Sequence, residues 1–286
     1  MEIFHHHSLA PYTTVKIGGP ADTFITTDTT EEFLEVLTKY SSSSLTVLGN
    51  GSNVLISDSG IRGIVVKNLS ANLSYLPDNK IKVDSGVQLS SLINDSIKHS
   101  LTGLEEFAYI PSTIGGAIYG NIHGTNKNNF DKFVDTIEVF DLESKAIKSY
   151  TSTNLKWSYD SSEFQSHPHW IIVSAVIKLQ PGNSSISKKI VTDIIAQKSL
   201  TQSLNSLGSV FKNPPNDFAG RIIDQELGLK GFRFNDVQIS PKHTNFILNL
   251  GHGTASDYLA VINKIQTYAK SKGFHLEPEI KFLGQF

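Results

Sequence analysis

The chain has 286 residues, 39% hydrophobic and 18% charged, with a formal charge of −2 at pH 7 and no cysteine. That length allows one large domain or two modest ones with ample residues for a core, and the charge supplies no net positive field for nucleic acid or an anionic membrane. Without thiols there is no disulfide framework, cysteine nucleophile, Fe–S ligation or cysteine zinc site, and no apolar run approaches the ~20 residues of a bilayer span.

Apolar periodicity alternates between two and 3.6, which predicts a mixed α+β fold. Asp22–Thr27 reads as a strand. Thr29 with Glu32 resembles a capping box that opens a helix carrying Phe33, Leu34 and Leu37. Leu45–Leu48 and Val54–Ile56 are short extended runs on either side of Gly49–Asn53. Ile64–Leu69 and Ile81–Val83 are further strands, with a turn signal at Pro77-Asp78-Asn79 between them. Leu89, Leu92, Ile93 and Ile97 mark an amphipathic helix. Phe133–Thr151 reads as a hairpin turning at Glu143-Ser144, and Trp170–Leu179 as a long strand. Pro181–Ser187, rich in Pro, Gly, Asn and Ser, is the linker candidate, followed by a helix over Ser187–Lys198. Beyond it, Phe218–Leu227 is helical and His243–Leu250 a strand. Thr254–Ser271 is a helix capped by Thr254 and ended by Gly273, burying Tyr258, Ile262, Ile265 and Ala269. Phe274–Leu283 closes as a strand. The expected division is residues 1–186, with subdomains of about 1–70 and 71–186, and a smaller unit at 187–286.

Two segments concentrate glycine. LGNGSNVLIS (Leu48–Ser57) places Gly49, Asn50, Gly51, Ser52 and Asn53 between short strands, where several backbone N–H groups can face one concavity and suit a diphosphate. A tight hairpin turn is the plainer reading of the same residues. The dinucleotide fingerprint Gly-x-Gly-x-x-Gly ahead of a helix is absent. YIPSTIGGAIYGNIHG (Tyr109–Gly124) combines Pro111, Gly115, Gly116 and Gly120 with apolar spacers too hydrophobic for a disordered linker. Close approach of backbone to a buried ligand explains it better than a surface loop.

These segments, with GSVFKNPP (Gly208–Pro215), AGRIIDQ (Ala219–Gln225), LKG (Leu229–Gly231), KHTNFILN (Lys242–Asn249) and LEPEIKFLG (Leu276–Gly284), occur in the order found in UDP-N-acetylenolpyruvoylglucosamine reductases. The resemblance runs from YTTVKIGGPADTFI (Tyr12–Ile25) to the last residues; the space between His167 and Trp170 fits the shorter, second subtype. It implies a two-subdomain FAD-binding unit of the vanillyl-alcohol-oxidase type with a smaller α+β C-terminal substrate domain. It further implies non-covalent FAD, NADPH as hydride donor, and reduction of UDP-N-acetylglucosamine enolpyruvate to UDP-N-acetylmuramate for peptidoglycan precursors. The implied partner is a small UDP-sugar, without nucleic acid or membrane, acting on a cytoplasmic monomer.

By motif match, Ser209 is the proton donor and Glu279 the catalytic carboxylate, with Glu277 the neighbour most easily mistaken for it. Lys212, Asn213 and Tyr159 are implied substrate contacts, and Gly49, Asn50, Gly51, Ser52, Asn53, Ile110, Pro111, Ser112, Gly115 and Gly116 the FAD contacts. Lys242-His243 reads as substrate-side scaffolding. His5-His6-His7 and His167-Pro168-His169 read as solvated, and no metal is expected. The chain departs from the family pattern at Thr13-Thr14, at Ser112, along Asn121–Asn126 and at Asn235-Asp236-Val237. Most consequentially, Asp160 stands where the family carries an arginine that holds the substrate carboxylate. Lys156 would lie one turn away if that stretch were helical and is the expected stand-in, with Arg221 next. Asp160 also motivates an alternative: a reductase-like FAD or nucleotide-sugar-binding paralogue with lost or altered activity.

Overall fold

The computed structural model describes residues 1–124, 128–203 and 205–286; the departures at Thr125 and Asn126 lie outside the described residues. The fold is α+β, and its two compact units interleave along the chain. The first comprises residues 1–4, 24–49 and 63–197, the second residues 5–23, 50–62 and 198–286.

The first unit is built on an antiparallel sheet ordered Ala146–Thr151, Val134–Asp141, Trp170–Lys178, Lys80–Asp84, Leu73–Leu76. Inward residues Ile81, Val83, Ile137, Val139, Ala175 and Ile177 share one core with the helices α2 (Leu89–Lys98) and α3 (Ile114–Gly120). On α2 the buried positions Leu89, Leu92, Ile93 and Ile97 recur at helical spacing, so one stripe meets the sheet. A second core joins Phe140 and Val173 to Phe33, Val36 and Leu37 of α1 (Thr30–Lys39) and to Ile25, Ile64 and Val66. There Ile61–Asn68 pairs in parallel with Leu45–Val47, Leu45 opposite Ile64. Thr29 caps α1 by accepting the Glu32 N–H, whereas Glu32 reaches the Asp28 N–H, so the expected box closes one residue early.

Two elements of this unit differ from expectation. The strand Leu73–Leu76 has three exposed residues in four and lacks the alternation that marks a half-buried strand. It turns into its partner through Asp78 and Asn79, both left-handed (φ 61° and 58°), which short polar side chains tolerate. The linker candidate instead holds the start of α4 (Ser184–Thr201), because Asn183 Oδ1 accepts the N–H groups of Ser185 and Ile186 and caps it. Ser187 anchors α4: its hydroxyl, that of Thr102 and the Gly103 N–H all donate to the buried Glu105 carboxylate.

The second unit packs α5 (Ala219–Arg221), the wider turn Ile222–Glu226 and α6 (Ala255–Ser271) against an antiparallel sheet of Arg233–Phe234, Val237–Ile239 and Ile247–Asn249. Tyr258, Val261, Ile262, Ile265 and Ala269 face Val237, Ile239 and Ile247, and the same core takes in Val15, Ile17 and Leu55. Thr254 and Asp257 form a full capping box on α6, and Asp58 accepts the next two N–H groups, those of Ala255 and Ser256. The two late strands are shorter than expected. Residues 243–246 form a turn, with the Phe246 N–H donating to the His243 carbonyl. Lys281–Leu283 is extended and pairs in parallel with Val54–Ile56. No helix among the described residues is long and apolar enough to cross a membrane.

Candidate active site

In the second unit, residues 210–212 run extended beside 277–279. Lys212 N–H donates to the Glu277 carbonyl at 2.9 Å, Glu279 N–H to the Val210 carbonyl at 2.8 Å, and Phe211 bridges Pro278 in antiparallel sense. This register sets Glu279 one residue from Ser209 across the pair, so the backbone brings the two expected catalytic residues together. Asn245 secures the same segment. Its Nδ2 donates to the Phe211 carbonyl (2.8 Å), its Oδ1 accepts the Phe211 N–H (3.0 Å), and its own carbonyl accepts the Val210 N–H (2.8 Å). Thr244 fixes the adjoining helix through the Gly220 carbonyl at 2.6 Å.

Ser209 and Asn213 line a cleft of about 350 Å³ with Arg221, Lys230, Lys242 and His243. Much of its cationic character is internally balanced. Arg221 grips Asp217 with two nitrogens and Glu226 with a third, and this contact holds the Asp217 carboxyl down at about 2. Lys230 pairs with Asp224 at 3.2 Å, which leaves Lys242 the lining cation without an ion pair among the described residues. Burial pushes the His243 imidazole down, so the ring is neutral at pH 7, and its Nδ1 is buried without a partner. The other expected substrate contacts are partly engaged. Asn213 Oδ1 accepts the Ala219 N–H at 3.0 Å and so caps α5, while the Lys212 ammonium lies 2.6 Å from Glu277 and holds that carboxyl below its usual range.

The two glycine segments meet at one hydroxyl. In the first unit a Cβ on Gly49 would stand 3.0 Å, and one on Gly116 3.3 Å, from the same Thr113 hydroxyl, so bare backbone from both segments converges there. Residues 114–120 are helical and not a loop: Thr113 caps α3 by accepting the Gly116 N–H, and Gly115 N–H is tied to the Ser85 carbonyl at 2.8 Å. Ile110, Pro111 and Ser112 lead into that cap, with the Ser112 carbonyl accepting the Leu89 N–H. In the second unit Gly51 takes φ +60°, and a Cβ there would fall 2.4 Å from the Tyr12 carbonyl, so Gly is required. Asn50 and Ser52 flank it half-buried, and the Asn53 carbonyl accepts the Lys281 N–H.

Around Tyr159 the expectation fails. The stretch is a hairpin, Trp157–Ser158 with Ser161–Ser162, turning at Tyr159 and Asp160, so Lys156 has no helical neighbour at the fourth residue. Lys156 is exposed, and Asp160 pairs instead with His123, whose Nδ1 lies 2.8 Å from Oδ1. Arg221, occupied by Asp217 and Glu226, is no stand-in either. Two residues that matter here, Asn245 and His123, were not singled out. An asparagine set directly against the apolar run Phe246–Leu248 was a usable signal for the first, and the joint departure of segments 121–126 and 160 for the second. Asp141, Glu143 and His169 place ligand atoms within 4.8 Å of one another, but Asp141 already serves Lys148 and two turn N–H groups.

Comparison with known proteins decides the family. Residues 198–283 match the C-terminal domain of UDP-N-acetylenolpyruvoylglucosamine reductase, and residues 21–145 match the FAD binding domain. A UDP-N-acetylenolpyruvoylglucosamine reductase of Caldanaerobacter subterraneus subsp. tengcongensis is 35% identical over 99% of this chain and 94% of its own length. One of Geobacillus thermodenitrificans is 37% identical over 99% and 92%. The chain belongs to the UDP-N-acetylenolpyruvoylglucosamine reductase family. The crystal structure of the Thermus caldophilus reductase superposes with a TM-score of 0.84 at 31% identity, covering 99% of this chain and 98% of that one. Family membership covers both glycine segments and the cleft that Ser209 lines, not one domain alone.

Proposed function

We propose that this chain reduces UDP-N-acetylenolpyruvoylglucosamine to UDP-N-acetylmuramate, with FAD bound non-covalently and NADPH as the hydride donor. The observation that carries this reading is the near-complete coverage by reductases together with the register that sets Ser209 beside Glu279. When bound, FAD carries the hydride from NADPH to the vinyl carbon of the enolpyruvyl group. The chain's own residues hold the reactants and manage proton and charge. Gly49, Asn50, Gly51, Ser52, Asn53, Ile110, Pro111, Ser112, Gly115 and Gly116 are assigned to the cofactor, whose diphosphate can come close to glycine backbone that carries no side chain. Ser209 gives its hydroxyl proton to the electron-rich carbon beside the substrate carboxylate. The hydroxyl is a weak acid in water, but that carbon is strongly basic and proton transfer to it is downhill. Glu279 acts next to the same carboxylate, and Lys212, Asn213 and Tyr159 hold the UDP-sugar. Lys212 must exchange its contact with Glu277 for a substrate phosphate to do so. The working state is a cytoplasmic monomer in peptidoglycan precursor synthesis.

The test is a pair of half-reactions. NADPH should bleach the bound flavin under anaerobic conditions, and UDP-N-acetylenolpyruvoylglucosamine should then restore its colour with formation of UDP-N-acetylmuramate. A flavin that NADPH reduces but the enolpyruvyl substrate does not reoxidise would overturn the reading in favour of a paralogue with altered activity.

A further inference from the structure

Within the second unit, Thr14 reaches two segments of the candidate active site. Its N–H donates to the Gly51 carbonyl at 3.2 Å, and its hydroxyl donates to the Ser206 carbonyl at 2.6 Å. A hydroxyl carries one hydrogen, so its longer approach to the Gly51 carbonyl, 3.5 Å, is secondary. The neighbouring Thr13, at the same departure from the family pattern, closes the turn that presents Thr14. Buried, it donates its hydroxyl hydrogen to the Ile17 carbonyl (2.9 Å) and accepts the Ile17 N–H (3.2 Å). Thr13 also backs the first glycine segment, since a Cβ on Gly51 would fall 2.8 Å from Thr13 Cα. Thr14 is thereby fixed beside Gly51 while its hydroxyl reaches Ser206.

Ser206 lies three residues ahead of Ser209. It is buried, bridges Leu248 in antiparallel sense, and accepts the Gly208 N–H on its own hydroxyl at 3.4 Å. Downstream of Ser209, Asn245 holds Val210 and Phe211. Ser209 therefore sits between two anchors. The stretch between them has little of its own to fix it, because Gly208 is left-handed at φ 75° and has nothing within 4 Å of where a Cβ would stand. A segment built this way takes its position from its anchors. On the upstream side, the bond that arrives from beside the first glycine segment is that of the Thr14 hydroxyl.

We propose that Thr14 is a positioning residue for the protonation step: by tying Gly51 to Ser206, it holds the Ser209 hydroxyl at a fixed place relative to the cofactor's glycine segment. This inference rests on the reductase reading, in which Ser209 is the proton donor. There the hydride and the proton go to neighbouring carbons of one enolpyruvyl group, so their two donors must keep a set separation. A displacement of about 1 Å at such a step can cost about 10²-fold in rate. Thr14 acts through the two backbone carbonyls it holds, and its contribution vanishes once the donor it positions is gone.

The test is a double-variant comparison on the FAD-loaded full chain. Thr14→Val keeps the shape and the backbone N–H and removes the hydroxyl donor, Thr14→Ser restores the donor, and Thr14→Ala removes it without branched bulk. Thr14→Val and Thr14→Ala should slow reoxidation of the flavin by UDP-N-acetylenolpyruvoylglucosamine about ten- to hundredfold, with NADPH reduction and substrate affinity nearly unchanged. Thr14→Ser should recover the rate. Thr14→Val combined with Ser209→Ala should reoxidise no more slowly than Ser209→Ala alone, because the two residues act as one unit. Apart from turnover, hydrogen exchange of the Gly208 amide should rise in Thr14→Val and stay at the wild-type rate in Thr14→Ser. Unchanged reoxidation in both Thr14→Val and Thr14→Ala, equal slowing of the two half-reactions, or losses that multiply in the double variant would overturn the proposal and leave the reductase reading standing. A wild-type flavin that NADPH reduces but the enolpyruvyl substrate does not reoxidise would overturn that reading, and this inference with it.

Discussion

Replacing Asn245 with alanine removes both halves of a clamp on Phe211. The two residues are 4% and 1% exposed, so the loss leaves one buried N–H and one buried carbonyl without their partners. Each such group costs about 1–3 kcal/mol. Asn245 also lines the cleft, which lets water reach part of the vacated volume, so the lower end applies and the total is about 2–3 kcal/mol. The bond from Val210 N–H to the Asn245 carbonyl is backbone and survives, so the strand loosens without leaving its place. Hydrogen exchange reads this directly: protection of the Phe211 amide should fall about 30- to 150-fold, with a matching drop in urea stability. Reoxidation of the flavin by substrate should slow as well, because Ser209 lies two residues from the clamp. A stability change below about 0.5 kcal/mol with unaltered exchange at Phe211 would refute the assignment of Asn245 as the residue that sets this strand.

Ser209→Ala should slow reoxidation by the enolpyruvyl substrate by roughly 10²–10⁴-fold, the usual worth of a general acid, while reduction by NADPH changes far less; equal losses in both half-reactions would make the serine structural. Gly51→Ala should lower stability by more than the ~1–2 kcal/mol of a left-handed alanine and reduce the FAD content of purified protein, since its Cβ falls against the Tyr12 carbonyl. Gly228→Ala, at φ +64° with nothing within 4 Å, should show the backbone cost alone, and equal effects at the two sites would refute the clash. Burial pushes the Glu105 carboxyl up, but hydrogen bonds from Ser187, Thr102 and Gly103 outweigh it and hold the group below its usual range. Its stabilisation is therefore complete above the unfolded carboxyl range and is lost as pH falls through the lowered folded value. Acid titration of stability should be shallower in Glu105→Gln than in wild type, and identical slopes would count against the network.

Where local chemistry and tertiary packing agree, the sequence was readable. On α6 the Thr254 cap, the buried face from Tyr258 to Ala269 and the stop at Gly273 all appear as expected, because each rests on a residue type at a fixed spacing. The helix in the second glycine segment was not legible, for a physical reason. Gly115 and Gly116 argue against a helix by propensity, yet Thr113 supplies the cap and Ile114, Ala117 and Ile118 bury the face. The Tyr159 hairpin has two-residue strands, too short for any period to register, so the helical premise behind Lys156 had nothing to contradict it. Ser209 and Glu279 were legible as motif residues. Their proximity was not, since it depends on a pairing between segments about seventy residues apart that Asn245 holds from a third.

The interleaving of the second unit bears on how the chain is made and handled. Its core needs Val15, Ile17 and Leu55, its late strand needs Val54–Ile56 as an edge, and the start of α6 needs Asp58. All of these leave the ribosome well before residue 198. At about 5–20 residues per second they wait on the order of ten seconds or more for the partners that bury them. Residues 198–286 expressed alone would expose the apolar faces that those early segments cover, and should be insoluble. Supplying residues 1–62 in trans should rescue them better than any lengthening at position 198.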